Sequence, residues 1–257
     1  MKQIMLKVQV AAVALAFIAG SSYASLRPVG DNVTLAELQG VFDSIGSTID
    51  AVTDQTTEDA FLPTGAGNAT AAYVATISWF RDDIEFGIYN LLDPSQKVKL
   101  FSQSLATPGD SVSLKFDEGN DYVVTLDTSD PFSPVVVDSS SYFLDFGFYA
   151  IATDNGEDFY SQDFLNVGSY ARMLTYEGKG DLVTIGTVGT YPDNGHWYVA
   201  LEAGAYGTGD PTGADYSDIV VQMESITPSD VVPEPATLGL FGLVSGGIYF
   251  ARRFFIV

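Results

Sequence analysis

An all-β fold, a β-sandwich or jelly roll with one short N-terminal helix, is what this 257-residue sequence predicts. Three observations carry that prediction. From residue 73 onward the chain breaks into ten short runs rich in Val, Ile, Tyr, Phe and Thr, separated by Gly, Asp, Asn and Pro, as strands and their turns require. Strict two-residue alternation appears at Val98, Leu100 and Ser102, and again at Val112, Leu114 and Phe116. Helical spacing is convincing in one stretch of the body alone, and no fixed-period repeat suggests a solenoid or propeller.

In chain order, Lys2 and Lys7 precede an apolar run from Val8 to Ile18, and Ser22-Tyr23-Ala24 places small residues at the −3 and −1 positions. This pattern predicts a signal peptide over 1–24, cleaved after Ala24. Residues 34–49 follow as a helix. Thr34 and Glu37 have capping-box spacing, and Leu35, Leu38, Phe42, Ile45 and Ile49 recur on one face. Residues 50–70 are polar and Gly-rich and read as a loop, closing an N-terminal segment 25–70. The β-domain then occupies 71–230, with strands expected at 73–80, 83–91, 97–105, 110–116, 121–127, 141–153, 170–176, 182–188, 196–203 and 218–225.

The last segment, 231–257, has a different character. Val232-Pro233-Glu234-Pro235 leads into sixteen uncharged residues, Ala236 to Ala251, and then Arg252-Arg253. As a helix the uncharged run would measure about 24 Å at 1.5 Å per residue, a short span for a hydrocarbon core of about 30 Å. Glycines 239, 242, 246 and 247 suit a membrane helix better than a water-soluble core helix. The arginine pair fits a cytoplasmic stop.

Composition narrows the function classes. Between Ser25 and Asp230 there are 7 Lys+Arg against 32 Asp+Glu, a net charge of −25. Such a body does not attract nucleic acid or an anionic lipid face. Cysteine is absent, so disulfides, thiol nucleophiles and thiolate metal sites are excluded.

The tail resembles the PEP-CTERM sorting tail of Gram-negative bacteria, also known as an ice-binding-protein C-terminal segment. That resemblance implies an exosortase partner that recognises and cleaves the tail. It also makes Pro233, Glu234, Pro235, Arg252 and Arg253 the sorting motif, and implies export across the inner membrane with transient anchoring. Residues 84–225 carry a second resemblance. Phe86-Gly87-Ile88-Tyr89, Phe146-Gly147-Phe148-Tyr149, Phe159-Tyr160-Ser161 and Leu174-Thr175-Tyr176-Glu177-Gly178 occur in the order seen in an uncharacterised β-rich domain of exported bacterial proteins. Leu201-Glu202-Ala203 and Asp215-Tyr216-Ser217-Asp218 stand where that domain usually has Phe-Glu-Asp and Asp-Tyr-Asn-Asp.

Glu202, Asp210, Asp215 and Asp218 are the richest set of hard oxygen donors, separated by a Gly-rich loop. Calcium is the ion such a set suits; the same acids also serve as turn and cap residues in many loops. Asp154-Asn155-Gly156-Glu157-Asp158 reads as an ordinary hairpin turn. His196, the single histidine, opens a strand without a Gly-x-Ser-x-Gly elbow nearby and reads as a turn residue. The many Tyr and Phe residues are core packing in the first instance, with a sugar-stacking face as the functional alternative. The sequence therefore predicts a non-enzymatic exported protein of the cell surface or extracellular matrix, associated with exopolysaccharide or matrix proteins. Alternatives are a secreted polysaccharide hydrolase and an ice- or mineral-binding adhesin.

Overall fold

The structure, a computed structural model, describes residues 34–64, 68–75, 84–102, 106–127, 134–152, 156–186, 189–203 and 214–229. The expected signal peptide with Ala24, the loop acid Asp210, and the tail with Pro233, Glu234, Pro235, Arg252 and Arg253 lie outside these residues. Among the described residues no helix is long and apolar enough to cross a membrane.

Among the described residues the fold is all-β with one α-helix, α1, Ala36–Ile45. Leu38, Val41, Phe42 and Ile45 are its buried face, as their spacing predicts. The capping box does not form. Leu35 is the N-cap residue and no side chain caps the helix, because the Thr34 N–H donates instead to the Ala214 carbonyl at 3.2 Å. The C-terminus is closed by Gly46 at φ +84°. Its N–H reaches the Asp43 carbonyl and the Ser47 N–H reaches that of Phe42, a Schellman ending that needs a left-handed residue.

Sixteen strands follow among the described residues: β1 Gln55–Thr56, β2 Phe61–Pro63, β3 Asn68–Ala75, β4 Ile84–Asn90, β5 Asp93–Ser102, β6 Ser111–Asp117, β7 Tyr122–Asp127, β8 Val135–Ser141, β9 Phe146–Ala152, β10 Glu157–Tyr160, β11 Met173–Glu177, β12 Leu182–Ile185, β13 Gly189–Pro192, β14 Trp197–Leu201, β15 Ile219–Glu224 and β16 Ile226–Pro228. The stretch 50–70 is thus not a plain loop, since it supplies β1, β2 and the start of β3. Nor is 141–153 one strand: β8 ends at Ser141, and β9 begins only at Phe146.

The large sheet runs β1-β11-β14-β15-β3-β6-β7-β8. A smaller one runs β16-β2-β9-β4-β5, with β10 also on β9, and β12–β13 form a separate hairpin. One core lies between the two sheets. Phe61, Phe86, Phe146 and Phe148 of the small sheet meet Leu114, Phe116, Trp197 and Val221 of the large one. Ring pairs such as Phe61–Trp197 at 5.1 Å and Phe116–Phe146 at 5.5 Å join the layers. A second core covers the opposite face of β11, β14 and β15, where Leu174, Tyr176, Tyr198, Ala200 and Val220 pack under α1 and β12. These central strands are buried on both faces, which is why they read as continuous apolar runs rather than alternating ones. At the far side the edge strands β5 and β8 meet through a side chain: the Lys99 N–H donates to Asp138 Oδ2 at 2.8 Å. That bond satisfies an edge donor without adding a strand.

Candidate functional site

The acids singled out in the sequence bracket the loop between β14 and β15. Glu202, at the end of β14, is buried, and its Oε2 accepts the N–H groups of Asp215 at 2.9 Å and Tyr216 at 3.2 Å. Asp218 lies after the loop, is also buried, and its Oδ2 accepts the Ala203 N–H at 2.7 Å. Each carboxylate therefore reaches across the loop to the backbone on the other side, pinning both ends with charge-assisted bonds. Asp215 turns inward on its own segment, with Oδ1 accepting the Ser217 N–H at 3.0 Å and standing 2.8 Å from Ser217 Oγ. Tyr216 adopts φ +54°, and its hydroxyl donates to the Ala171 carbonyl at 2.7 Å. The structure thus brings Glu202, Asp215 and Asp218 to one loop base. Among the described residues no group of three or more His, Cys, Asp or Glu is arranged to hold a metal.

The outer face of the small sheet holds a feature whose parts the sequence displayed but whose geometry it hid. β4 and β9 pair so that Gly87 faces Tyr149 and Tyr89 faces Gly147. A Cβ on Gly87 would stand 2.6 Å from the Tyr149 ring, and one on Gly147 would stand 2.5 Å from the Tyr89 ring. Each ring thus packs against the glycine opposite it, and the two Phe-Gly-x-Tyr segments form one reciprocal unit. Their phenylalanines, Phe86 and Phe146, point the other way into the inter-sheet core.

Hydrogen bonds hold this face together. Tyr89 donates to Gln162 Oε1 at 2.8 Å and Tyr149 to Glu85 Oε1 at 2.7 Å. Lys97 Nζ lies 2.7 Å from Asp158 Oδ2 and about equally over the Tyr149 and Tyr160 rings, at 5.0 and 5.1 Å. Tyr160 donates to the same Asp158 oxygen at 2.8 Å. Burial, with the Glu85 carboxylate beside it, pushes the Tyr149 hydroxyl far above its ordinary pKa. Burial is the largest influence on Lys97 and disfavours its charge, but the hydrogen bonds and charges of Asp158 and Tyr160 together outweigh it, and the ammonium is held more firmly than usual. Tyr89 and Tyr149 are themselves buried, so this face is a packed network rather than an open platform of rings.

His196 closes the Asp193–His196 turn, its N–H donating to the Asp193 carbonyl at 3.0 Å. Its ring sits 5.6 Å from that of Tyr191, and Nε2 lies 3.8 Å from Glu224 Oε2. Beside it runs a buried chain that periodicity did not reveal. Asp193 accepts from the Gly180 and Asp181 N–H groups and from Tyr198; Tyr198 accepts from Gln222, and Gln222 accepts from Tyr191. Arg172 is also buried, its guanidinium carbon 5.4 Å from the Phe159 ring.

Comparison with known proteins adds one finding. Residues 231–253 match the PEP-CTERM protein-sorting motif. No curated protein and no solved structure matches the chain.

Proposed function

We propose that this is a non-enzymatic protein of the cell surface or extracellular matrix, released there by an exosortase and serving exopolysaccharide or other matrix proteins as a binding or structural module. The observation that carries the reading is the sorting motif at 231–253, because a PEP-CTERM tail is the element an exosortase recognises on exported proteins. The apolar run 236–251 supplies the transient membrane anchor, and the signal peptide 1–24 supplies entry to the export route. The body supports a non-catalytic role. The tyrosines, lysine and carboxylates on the outer sheet face are hydrogen-bonded to one another, and His196 is engaged in a turn. Calcium at the loop of Glu202, Asp210, Asp215 and Asp218 belongs to the same proposal, supported by the hard oxygen donors that the sequence places in and beside that loop.

Mass spectrometry of the exported form tests the routing. In an exosortase-containing host the mature chain should begin near Ser25 and end at or near Pro233-Glu234-Pro235. Glu234→Ala should leave the body folded while full-length chain accumulates in the inner membrane. Wild-type chain retained there at full length would overturn the reading.

A further inference from the structure

We propose that Asn194 is a modification site. Its side-chain amide converts without an enzyme to aspartate and isoaspartate through a cyclic imide formed with Gly195, and the isoaspartate form loosens the turn over the buried Asp193. This stands independently of the sorting reading. The chain has two Asn-Gly pairs, Asn155-Gly156 and Asn194-Gly195. In such a pair the glycine nitrogen is the nucleophile, and the missing side chain leaves it unhindered. Asparagine is accordingly among the thermolabile residues. The fold treats the two nitrogens differently. The Gly156 N–H donates to the Ala152 carbonyl at 2.8 Å, which ties up the nucleophile. The Gly195 N–H and the Asn194 side chain hydrogen-bond to no protein group among the described residues. Asn194 and Gly195 are both exposed, and nothing lies within 4 Å of where a Cβ on Gly195 would stand. They are the central pair of the Asp193–His196 turn, with Gly195 at φ +75° in the left-handed region that a type II turn requires of its third residue.

The chemistry needs only water. The Gly195 nitrogen gives its proton to hydroxide and bonds to Asn194 Cγ, while the bond from Cγ to the amide nitrogen breaks and that nitrogen leaves as ammonia. Water then opens the imide at either carbonyl. One opening restores the original main chain with an aspartate side chain, and the other routes the main chain through Cγ as isoaspartate, longer by a methylene. Ring closure needs the turn to open locally, and an exposed turn tip opens at low cost. The tip is spanned by one backbone bond, from the His196 N–H to the Asp193 carbonyl at 3.0 Å. Its flanks are fixed. The Asp193 N–H donates to the Asp181 carbonyl and the Gly178 N–H to that of His196, while the Asp193 carboxylate accepts from Gly180, Asp181 and Tyr198. A Cβ on Gly178 would stand 2.0 Å from the Asp193 carbonyl oxygen, so the turn has no slack on that side. An added methylene between fixed flanks therefore breaks the 193–196 bond first and then pulls on Asp193 and its bond from Tyr198.

The wild-type full chain tests this without any variant. It is incubated near neutral pH in water enriched in oxygen-18, either folded or in enough urea to unfold it. Peptides around both Asn-Gly pairs are then mapped by mass spectrometry, with fragmentation that separates aspartate from isoaspartate. Conversion several-fold faster at 194 than at 155 in the folded chain, with the two rates converging in urea, is the expected result. Equal rates at the two pairs in the folded chain, or conversion at 155 alone, overturn the proposal. Aged chain should also melt at a lower temperature than fresh chain, whereas Asn194→Gln, whose longer side chain closes the ring poorly, should keep its melting temperature through the same incubation. Aged chain rich in isoaspartate at 194 that melts as fresh chain does overturns the loosening of the turn.

Discussion

At the scale of single residues, the reciprocal glycine–tyrosine pairs are where sequence and packing are most tightly locked. Glycine at 147 leaves space that the Tyr89 ring fills, and at 87 space taken by the Val98 carbonyl and the Tyr149 ring, so a methyl group added at 147 has nowhere to go without moving an aromatic ring that is itself buried. Gly147→Ala should therefore destabilise the protein by about 1–3 kcal/mol, as overpacking does, measured by urea unfolding. In a Tyr89→Leu background the same change should cost at least about 0.5 kcal/mol less, the coupling expected of touching residues. Strictly additive costs would show that the ring contact is not the cause. The loop acids make a second case. Glu202 and Asp218 already hold the loop ends by accepting N–H groups. Calcium, as proposed, would add to that clamp by relieving repulsion among the carboxylates. At ten times its dissociation constant it contributes about 1.4 kcal/mol, or about 3–6 °C in a domain of this size. Melting temperature in chelator and in about 10 mM calcium is the measurement. Asp215→Asn should lose most of the rise, and an unchanged temperature would leave the acids with their hydrogen-bonding task alone.

At the scale of elements, α1 shows which parts of a helix its own sequence specifies. Its buried face follows from local spacing, and its end from Gly46. Its start does not, because the Thr34 N–H is claimed by a carbonyl far along the chain. Thr34→Ala should accordingly change stability by less than about 0.5 kcal/mol, below the loss of about 1 kcal/mol typical of a working cap. Gly46→Ala forces a β-carbon into the left-handed region and toward the Leu182 carbonyl at 3.3 Å, which should cost about 1–2 kcal/mol. Comparable thermal shifts for the two variants would restore the capping box. The same distinction explains what was legible elsewhere. β4, β6, β7 and β14 announce themselves because several consecutive residues repeat one pattern. β1, β2, β10, β13 and β16 have two to four residues each, too few to show a period, and only their partners make them strands. In the loop base, clustering of Glu202, Asp215 and Asp218 was visible, but which N–H each carboxylate meets was not. The two Phe-Gly-x-Tyr segments were visible as motifs, while the register that sets Gly87 against Tyr149 exists only after pairing.

At the scale of the whole molecule, the acidic surface and the buried tyrosines set opposite limits on stability. Hydrogen bonds from the Thr53 and Val52 N–H groups to Asp50, from Thr48 to Asp181 and from Ser95 to Asp93 hold these carboxyls below their ordinary values. A folded-state value lower than the unfolded one, about 3.9 for Asp, means stability that is present above that pH and lost as pH falls through the folded values. These groups are largely solvent-screened, and protonating 32 acids also removes self-repulsion in a body of charge −25. The acid limb should therefore be shallow. Tyrosines act in the other direction. Burial raises Tyr149, Tyr176 and Tyr198 far above the usual value, and raises Tyr191 to about 12 with the Glu224 charge adding to it. Folding favours the protonated phenol in each, so this stability is complete below about pH 10, the unfolded value, and is lost as pH rises toward the folded ones. Four such groups drawing on one transition should make the alkaline limb steep. Melting temperature should hold a plateau from about pH 5 to about 9.5, decline gently below it and fall sharply above it. Followed together on raising the pH, the absorbance of the buried tyrosinates should appear in step with loss of the strand signal in circular dichroism. Tyr198→Phe should move that fall to higher pH, since one phenol fewer must be kept neutral. Ionisation of these tyrosines well before the sheets melt would show that the hydroxyls of Tyr149, Tyr176 and Tyr198 are open to water and that the two cores do not govern the alkaline limit.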